Sequence, residues 1–293
     1  MIILHVSCGL GNQMFQYAAG SALSLSRGVP LLLDVDDFSR HGWHNGFELE
    51  RIFSFPVTLA TPEDINILLG WQSWKSLRHR LARPAWRLLR SHHFVAEPHF
   101  HYWPGIRHAA PPCYLLGYWQ SERYFVDRAQ TIRANFTFRH PLSDRNSDLA
   151  RKINAENSVS LHIRRGDYVT NPQIAISHGV CPQSYYKAAI KYIREHVDEP
   201  HFFVFSDDPD WVKAELSLEG RFCLVDHNRG AESYNDMRLM SMCRHHIIAN
   251  STFSWWGAWL NPSPTKIVIA PRRWFNNHAA DARDLFPEGW ITL

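Results

Sequence analysis

From residue 158 onward the chain alternates short apolar runs with helical patterns, and this alternation constrains the fold more than any other feature. The apolar runs fall at residues 159–163, 202–205, 222–225, 247–249 and 267–270. Helical periodicity fills the gaps at 184–196, 209–216, 235–244 and 253–260. The runs are continuously hydrophobic, as strands buried on both faces are. Strand–helix alternation of this kind predicts a parallel sheet covered by helices on both sides. Ligands of open parallel sheets bind outside the carboxyl ends of the strands. Polar and charged residues collect there in this chain: Arg164-Arg165-Gly166-Asp167, Ser206-Asp207-Asp208, Asp226-His227-Asn228-Arg229, Asn250-Ser251-Thr252 and Arg272-Arg273.

The first of these loops lies in His162-Ile163-Arg164-Arg165-Gly166-Asp167-Tyr168. Adjacent strand residues face opposite ways, so the two guanidinium groups need partners in different directions. One can form a structural salt bridge while the other faces a ligand. The planar, permanently charged guanidinium fork suits a pair of phosphate oxygens, and a bound diphosphate is the favoured reading. His162, inside the strand, is either a satisfied core histidine or a ligand contact. Ser206-Asp207-Asp208-Pro209-Asp210 reads best as a helix start, with Asp208 at the N-cap and Pro209 at the first helical position. A divalent-metal cluster is the alternative, and Asp207 is left over to face the site. Residues 250–257 put hydroxyls and free amides at a helix N-terminus, a ready anion site, or else a plain cap with Trp255, Trp256 and Trp259 in the core. Asp236 opens a helix and is either a first-turn acid or a ligand group.

The N-terminus predicts a strand over residues 2–7, a glycine turn, a helix over 14–26 and a second strand over 31–35. Gly9-Leu10-Gly11-Asn12-Gln13-Met14 approaches a dinucleotide fingerprint, and Asp34 lies where a ribose-binding acid would. The third glycine is missing, however, since Met14 or Phe15 stands where close helix–strand packing wants Gly or Ala. The preferred reading is a tight turn that brings backbone amides and the Asn12 and Gln13 side chains toward a ligand; a mere strand–helix turn is the alternative. Residues 40–135, rich in Trp, His and Pro, read as an irregular region. A polar linker is expected near 140–157, punctuated by Pro141, Ser143, Asp144 and Asn146.

Composition removes several function classes. The net charge of +3 gives no argument for nucleic acid. Five scattered cysteines without a C-x-x-C pair argue for free thiols in a reducing compartment and against zinc. No basic, apolar leader is visible, and no run approaches the roughly 18 apolar residues of a spanning helix. These features predict a soluble, cytoplasmic protein. One segment stands apart: between Asp64 and Glu97 there is no acid, yet Lys75, Arg78, Arg80, Arg83, Arg87 and Arg90 all fall there. With Trp74, Leu77, Leu81, Ala85 and Leu88 at helical spacing, residues 71–90 read either as an amphipathic helix on an anionic membrane or as a helix packed on the body with a solvated basic face.

Taken in order and spacing, Gly9-Leu10-Gly11-Asn12-Gln13-Met14-Phe15-Gln16-Tyr17-Ala18, residues 162–168, Phe205-Ser206-Asp207-Asp208 and residues 250–256 resemble the α-1,2-fucosyltransferases of glycosyltransferase family 11. The resemblance covers most of the chain and is weakest from about 40 to 135. It implies an α/β fold of the GT-B type, with two Rossmann-like halves and a cleft between them. Residues 1–150 would form the N-terminal acceptor-side domain and residues 151–293 the C-terminal domain that binds the GDP-sugar. It further implies GDP-β-L-fucose as donor, inversion to an α-linkage, the 2-hydroxyl of a glycan galactose as acceptor, and no metal or cofactor. Carried over by position, Arg164 would clamp the β-phosphate and Arg165 would support it or hold the loop. Asp236 would read the guanine N1 and N2 donors, His162 would contact the nucleotide, and Ser251, Thr252 and Ser254 would hold phosphate oxygens. Asp167 is the candidate base, or else pins one of the arginines. Another GT-B glycosyltransferase, an NAD(P) oxidoreductase and a carbohydrate-binding protein remain the competing readings.

Overall fold

The computed structural model describes residues 1–39, 45–216, 220–276 and 281–293. The chain forms two compact units, Met1–Arg139 with Ala280–Pro287, and His140–Ala279 with Glu288–Leu293. The division therefore falls between Arg139 and His140 rather than at 150/151, and a short C-terminal stretch returns to the first unit.

The first unit is built on strands β1 (Ile2–His5), β2 (Leu31–Asp34), β3 (Phe94–Ala96) and β4 (Cys113–Leu116). They form a parallel sheet in the order β2-β1-β4-β3. The helix after β1 runs Leu10–Arg27, beginning inside the glycine turn, and ends at Gly28 in the left-handed conformation that glycine favours there. Helix and strand approach closely at Gly20, where a Cβ would come within 2.9 Å of Leu4. Close packing is thus made ten residues beyond the start of the helix, and the missing third glycine of the turn is not needed.

Asp34 takes no ligand role. It is buried, accepts a 2.6 Å hydrogen bond from the Tyr114 hydroxyl, and is ion-paired with the equally buried Arg78, whose guanidinium also donates to Tyr114 at 2.6 Å. Removing one partner of such a triad leaves an uncompensated buried charge, a loss of about 3–5 kcal/mol. The basic segment is not one amphipathic helix. A helix over Lys75–Leu81 is followed by a 3-10 turn over Pro84–Leu89, because Pro84 lacks the N–H and holds Arg83 extended. Leu77, Leu81 and Trp86 turn inward onto Ile3, Phe94 and Tyr114.

The second unit carries β5 (Ser158–Ile163), β6 (His201–Ser206), β7 (Phe222–Val225), β8 (His245–Ile247), β9 (Val268–Ala270) and β10 (Ile291–Thr292). All pair in parallel, in the order β10-β9-β8-β5-β6-β7. One face packs Val159, Leu161 and Ile163 against Tyr185, Tyr186, Ala189 and Ile193 of the helix Gln183–His196. The other packs Phe203, Phe205 and Val225 against Leu239, Met240, Ala150 and Ile153. Each buried Val, Leu, Ile, Phe or Met among them contributes roughly 1.5–3 kcal/mol by leaving water. The expected linker is for the most part a helix, Asp144–Ala155, capped by Ser143. Its polarity is that of the solvent face; Asn146, Ala150 and Ile153, at helical spacing, form the buried one.

Candidate active site

In the second unit, β6 and β7 extend the sheet to one side of β5, and β8, β9 and β10 extend it to the other. The order in which strands are added thus reverses between β5 and β8, and the carboxyl ends of these two strands flank the switch point where open α/β sheets bind ligands. The β5 end delivers Arg164, Arg165 and Asp167; the β8 end delivers Asn250 and the helix Thr252–Leu260.

The two arginines are held differently. Arg164 lies between carboxylates, with Nη2 2.6 Å from Asp167 Oδ1 and Nη1 2.9 Å from Asp207 Oδ2, and its guanidinium sits over the Tyr168 ring at 5.4 Å. Arg165 Nε donates to Asp208 Oδ2 at 3.0 Å, and its guanidinium stacks on Trp211 at 4.2 Å. Asp208 also caps the helix Pro209–Glu215 through Trp211 N, as expected. Asp207 accepts the Arg165 amide at 2.8 Å as well as Arg164, so both carboxylates of this pair are bound by arginine groups. A Cβ at residue 166 would come within 2.6 Å of Asp207 Oδ2, so a larger residue here would have to displace the carboxylate that holds Arg164.

His162 is buried, its Nδ1 has no hydrogen-bond partner among the described residues, and its ring lies 6.0 Å from that of Phe253. Burial lowers its pKa to about 4 against the pull of Asp207, so the imidazole is neutral at physiological pH. It is not a satisfied core histidine, because a buried polar atom without a partner is rare. Tyr168 donates from its hydroxyl to Asn250 O at 3.1 Å and so ties the two strand ends together. Asn250 itself is structural, donating to the carbonyls of His178, Gly179 and Trp274. Ser251 is the N-cap of the helix Thr252–Leu260, yet its side chain makes no capping bond, so the first amides keep their donor capacity for a ligand. Ser254 is different. Its hydroxyl is buried and donates to Ser251 O at 3.2 Å, so the expected phosphate contact is replaced by a turn within the helix. The Trp255, Trp256 and Trp259 side chains are core.

Asp236 belongs to a separate group at the β7 end. Its Oδ1 accepts from Asn228 Nδ2 at 2.7 Å, and Asn228 exchanges hydrogen bonds with Asn146, which also meets His227. Burial raises the Asp236 pKa to about 7 against this hydrogen bond.

The first unit repeats the topology. Its order of strand addition reverses between β1 and β4, and a cavity of about 440 Å³ opens there, lined by His5, Ser7, Cys8, Asp37, Phe38, His79 and Leu116-Gly117-Tyr118. Cys8 and Trp119, in the two loops of this switch point, both have left-handed backbones, a strained conformation that clusters at functional sites. Asp37 Oδ2 lies 2.9 Å from His5 Nε2 and 3.4 Å from His79 Nε2, and Lys75 Nζ is 3.2 Å from the other oxygen. The His5 and His79 hydrogen bonds hold this carboxyl well below its ordinary range. Two imidazoles and a carboxylate are a donor set that a divalent ion accepts, but Lys75 already supplies positive charge to the same carboxylate. Glu97 follows β3, accepts the Tyr118 and Trp119 amides at 2.7 and 3.1 Å and the Tyr124 hydroxyl at 3.3 Å, and has its pKa raised by burial to about 7.

Gln13 does not face this cavity. It is fully buried, donates to Cys8 O and Gly46 O, and accepts the Glu48 amide. Gln16 joins the two loops by accepting Ser7 N and donating to Gly117 O. Asn12 stays at the margin, accepting from Gln120 Nε2 at 2.7 Å. Sequence reasoning missed His5, Asp37 and His79, which converge from three separate segments, and Glu97, which holds the Tyr118 and Trp119 amides; the acids immediately after predicted β2 were the only local signal.

Two parallel sheets, each with its polar groups at the carboxyl ends, are the halves of a GT-B fold, the architecture of nucleotide-sugar-dependent glycosyltransferases. Solved structures agree on the fold: the alpha-1,6-fucosyltransferase NodZ of Bradyrhizobium (TM-score 0.55, 15% identity, 89% of this chain and 92% of that one) and FUT1 of Arabidopsis thaliana (TM-score 0.54, 11% identity, 98% and 75%). Residues 98–293 match the family described as Glycosyl transferase family 11. The chain is 35% identical to an alpha-1,2-colitosyltransferase of Escherichia coli over 100% of its own length and 99% of the relative's. It is 26% identical to galactoside alpha-(1,2)-fucosyltransferase 1 of Aotus azarae over 85% of this chain and 62% of that one. The chain belongs to glycosyltransferase family 11.

Proposed function

We propose that the protein transfers L-fucose from GDP-β-L-fucose to the 2-hydroxyl of a galactose in a glycan, with inversion and without a metal. The observation that carries the reading is Arg164 at the β5/β8 switch point, beside a helix N-terminus whose cap leaves its amides open. Cleavage of a sugar–diphosphate bond builds positive charge on the sugar and negative charge on the leaving diphosphate. Arg164 and the Thr252 and Phe253 amides meet that leaving charge with groups already oriented, which is electrostatic catalysis. Asp167 and Asp207 fix the Arg164 fork, so we assign Asp167 as a positioning residue and not as the base. Arg165, spent on Asp208 and Trp211, holds the loop. His162 offers neutral Nδ1 to the nucleotide. Ionised Asp236 accepts from guanine N1 and N2. The acceptor galactose is assigned to the His5–Asp37–His79 cavity, where a carboxylate accepts from sugar hydroxyls and Phe38 and Tyr118 offer apolar faces.

A second reading has its own support, since a full-length relative at 35% identity is named for colitosyl transfer. Colitose is fucose lacking the 3-hydroxyl, so the two donors differ by one hydrogen-bonding group. A site that bonds that hydroxyl rejects the deoxy sugar strongly, whereas an apolar one discriminates weakly. The test is GDP release from GDP-fucose and from GDP-colitose with lactose in excess EDTA, the linkage being read by NMR. Lactose-dependent release with a new α-1,2 linkage supports the proposal, and preference for GDP-colitose moves it to the second reading. Release only on addition of Mn²⁺ overturns metal independence.

A further inference from the structure

The segment between Ile67 and Arg90 presents apolar side chains outward that the first unit's core does not use. In the helix Pro62–Leu69, Ile65, Leu68 and Leu69 pack inward and Ile67 does not. Trp71 and Trp74, in the 3-10 turn Gly70–Ser73 and just after it, are 60% and 74% exposed, and Leu88 is 96% exposed with Leu89 beside it. Tryptophan gains most at a boundary where one side is apolar and the other wet.

The fold holds this surface in place. Gln72 is buried and donates to Leu89 O at 2.9 Å while accepting the Ser91 amide at 3.1 Å, which fastens the Trp71 turn to the Leu88-Leu89 turn. Arg90 donates to the carbonyls of Leu81, Ala82 and Arg83 and closes the helix Lys75–Leu81 onto the same turn. Two of the six cations are therefore internal, Arg78 with Asp34 and Arg90 with these carbonyls, and Lys75 is turned to Asp37. Arg80, Arg83 and Arg87 remain exposed among the apolar residues. No acid lies between Asp64 and Glu97 in sequence, so these three exposed arginines have no acidic neighbour along the segment. Both imply an anionic partner, and exposed tryptophan and leucine set among arginines fit a lipid surface.

We propose that the surface formed by Ile67, Trp71, Trp74, Leu88 and Leu89 with Arg80, Arg83 and Arg87 docks on an anionic lipid bilayer. No helix among the described residues is long and apolar enough to cross a membrane, so contact here is with the interface. Leucine and tryptophan enter the headgroup boundary while the arginines pair with anionic headgroups. This inference is independent of the donor and acceptor assigned above.

The test is flotation of the full chain with vesicles of phosphatidylcholine alone and of phosphatidylcholine with 30% phosphatidylglycerol, a fraction that is about physiological for an anionic leaflet. The protein is expected to float with the anionic vesicles and to lose binding as salt rises. Each exposed arginine contributes about five-fold to partitioning, so the triple variant Arg80→Gln, Arg83→Gln, Arg87→Gln should weaken it roughly a hundred-fold. Trp74→Ser with Leu88→Ser should abolish stable flotation while leaving Tm unchanged, since both side chains face water. Absence of flotation with anionic vesicles overturns the proposal, as does equal binding to neutral ones. Concentration-dependent dimerisation that the Trp74→Ser, Leu88→Ser variant abolishes, without lipid binding, overturns it in favour of a second copy of this chain.

Discussion

The two units solve opposite electrostatic problems at equivalent places. In the second, a cation is held by acids: Arg164 lies between Asp167 and Asp207 at the β5/β8 switch point. In the first, an acid is held by nitrogen groups: Asp37 lies among the His5 and His79 imidazoles and the Lys75 ammonium near the β1/β4 switch point. An arginine pre-oriented by two carboxylates presents its fork without losing rotamer entropy on binding, which suits a rigid, doubly charged diphosphate. A carboxylate kept ionised by its neighbours is an acceptor for hydroxyl donors, which suits a neutral sugar. The two units share a topology and differ in the group they pre-orient, an arginine in one and a carboxylate in the other.

The largest effect that can break this contrast is on Arg164. Arg164→Ala should lower kcat by about two to four decades, from loss of roughly 3–5 kcal/mol of interaction with the leaving diphosphate, as measured by GDP release. Normal turnover would remove the second unit's claim to the donor.

Next comes a proton count. Asp236 and Glu97 both have pKa values raised to about 7 by burial, one in each unit. A folded-state value above the unfolded one means that the native chain binds more protons, so the stability each contributes is full below about pH 4 and lost as pH rises through about 7. GDP should select ionised Asp236. Its affinity should fall as pH drops from 8 to 6, and binding at pH 7 should release part of a proton, seen as a buffer-dependent enthalpy in calorimetry. Asp236→Asn should raise the GDP Kd by about 10–100-fold and abolish the release. Glu97→Gln should leave both unchanged; proton release lost on Glu97→Gln would reverse the assignment.

Gln13 and Ser254 sharpen the boundary between site and scaffold. Gln13→Ala strands two carbonyls and an amide, so it should cost about 1–3 kcal/mol of stability, read as a lower Tm, with the donor KM little changed. Ser254→Ala should move the donor KM by no more than about two-fold, because the hydroxyl bonds within its own helix. A large KM effect there would restore it as a phosphate contact.

The second unit was the legible one. Continuous apolar runs separated by helical periodicity placed five of its six strands, and the residues following β5 and β8 identified the switch point, because a parallel sheet ties strand order to ligand position. The segment 140–157 reads as a linker in sequence because the helix Asp144–Ala155 shows a mostly polar face and only Asn146, Ala150 and Ile153 inward. In the first unit, β3 and β4 are three and four residues long and embedded among Trp, His and Pro, too short for periodicity to mark. Side-chain fate was the harder part. Gln13 and Asn12 are neighbours in sequence, yet one is fully buried and the other marginal; Arg78 looked like the rest of a basic face and is a core ion pair. Those differences are set by contacts with Glu48, Gly46, Asp34 and Tyr114, all distant in sequence.

Titration of GDP into the wild-type chain and two variants, Arg164→Ala and Asp37→Asn, paired with the KM for lactose where turnover allows it, tests the two units against each other. The division of labour predicts that Arg164→Ala weakens GDP by about 100-fold and that Asp37→Asn leaves GDP affinity unchanged while raising the KM for lactose. Loss of GDP affinity in Asp37→Asn with retention in Arg164→Ala would contradict it.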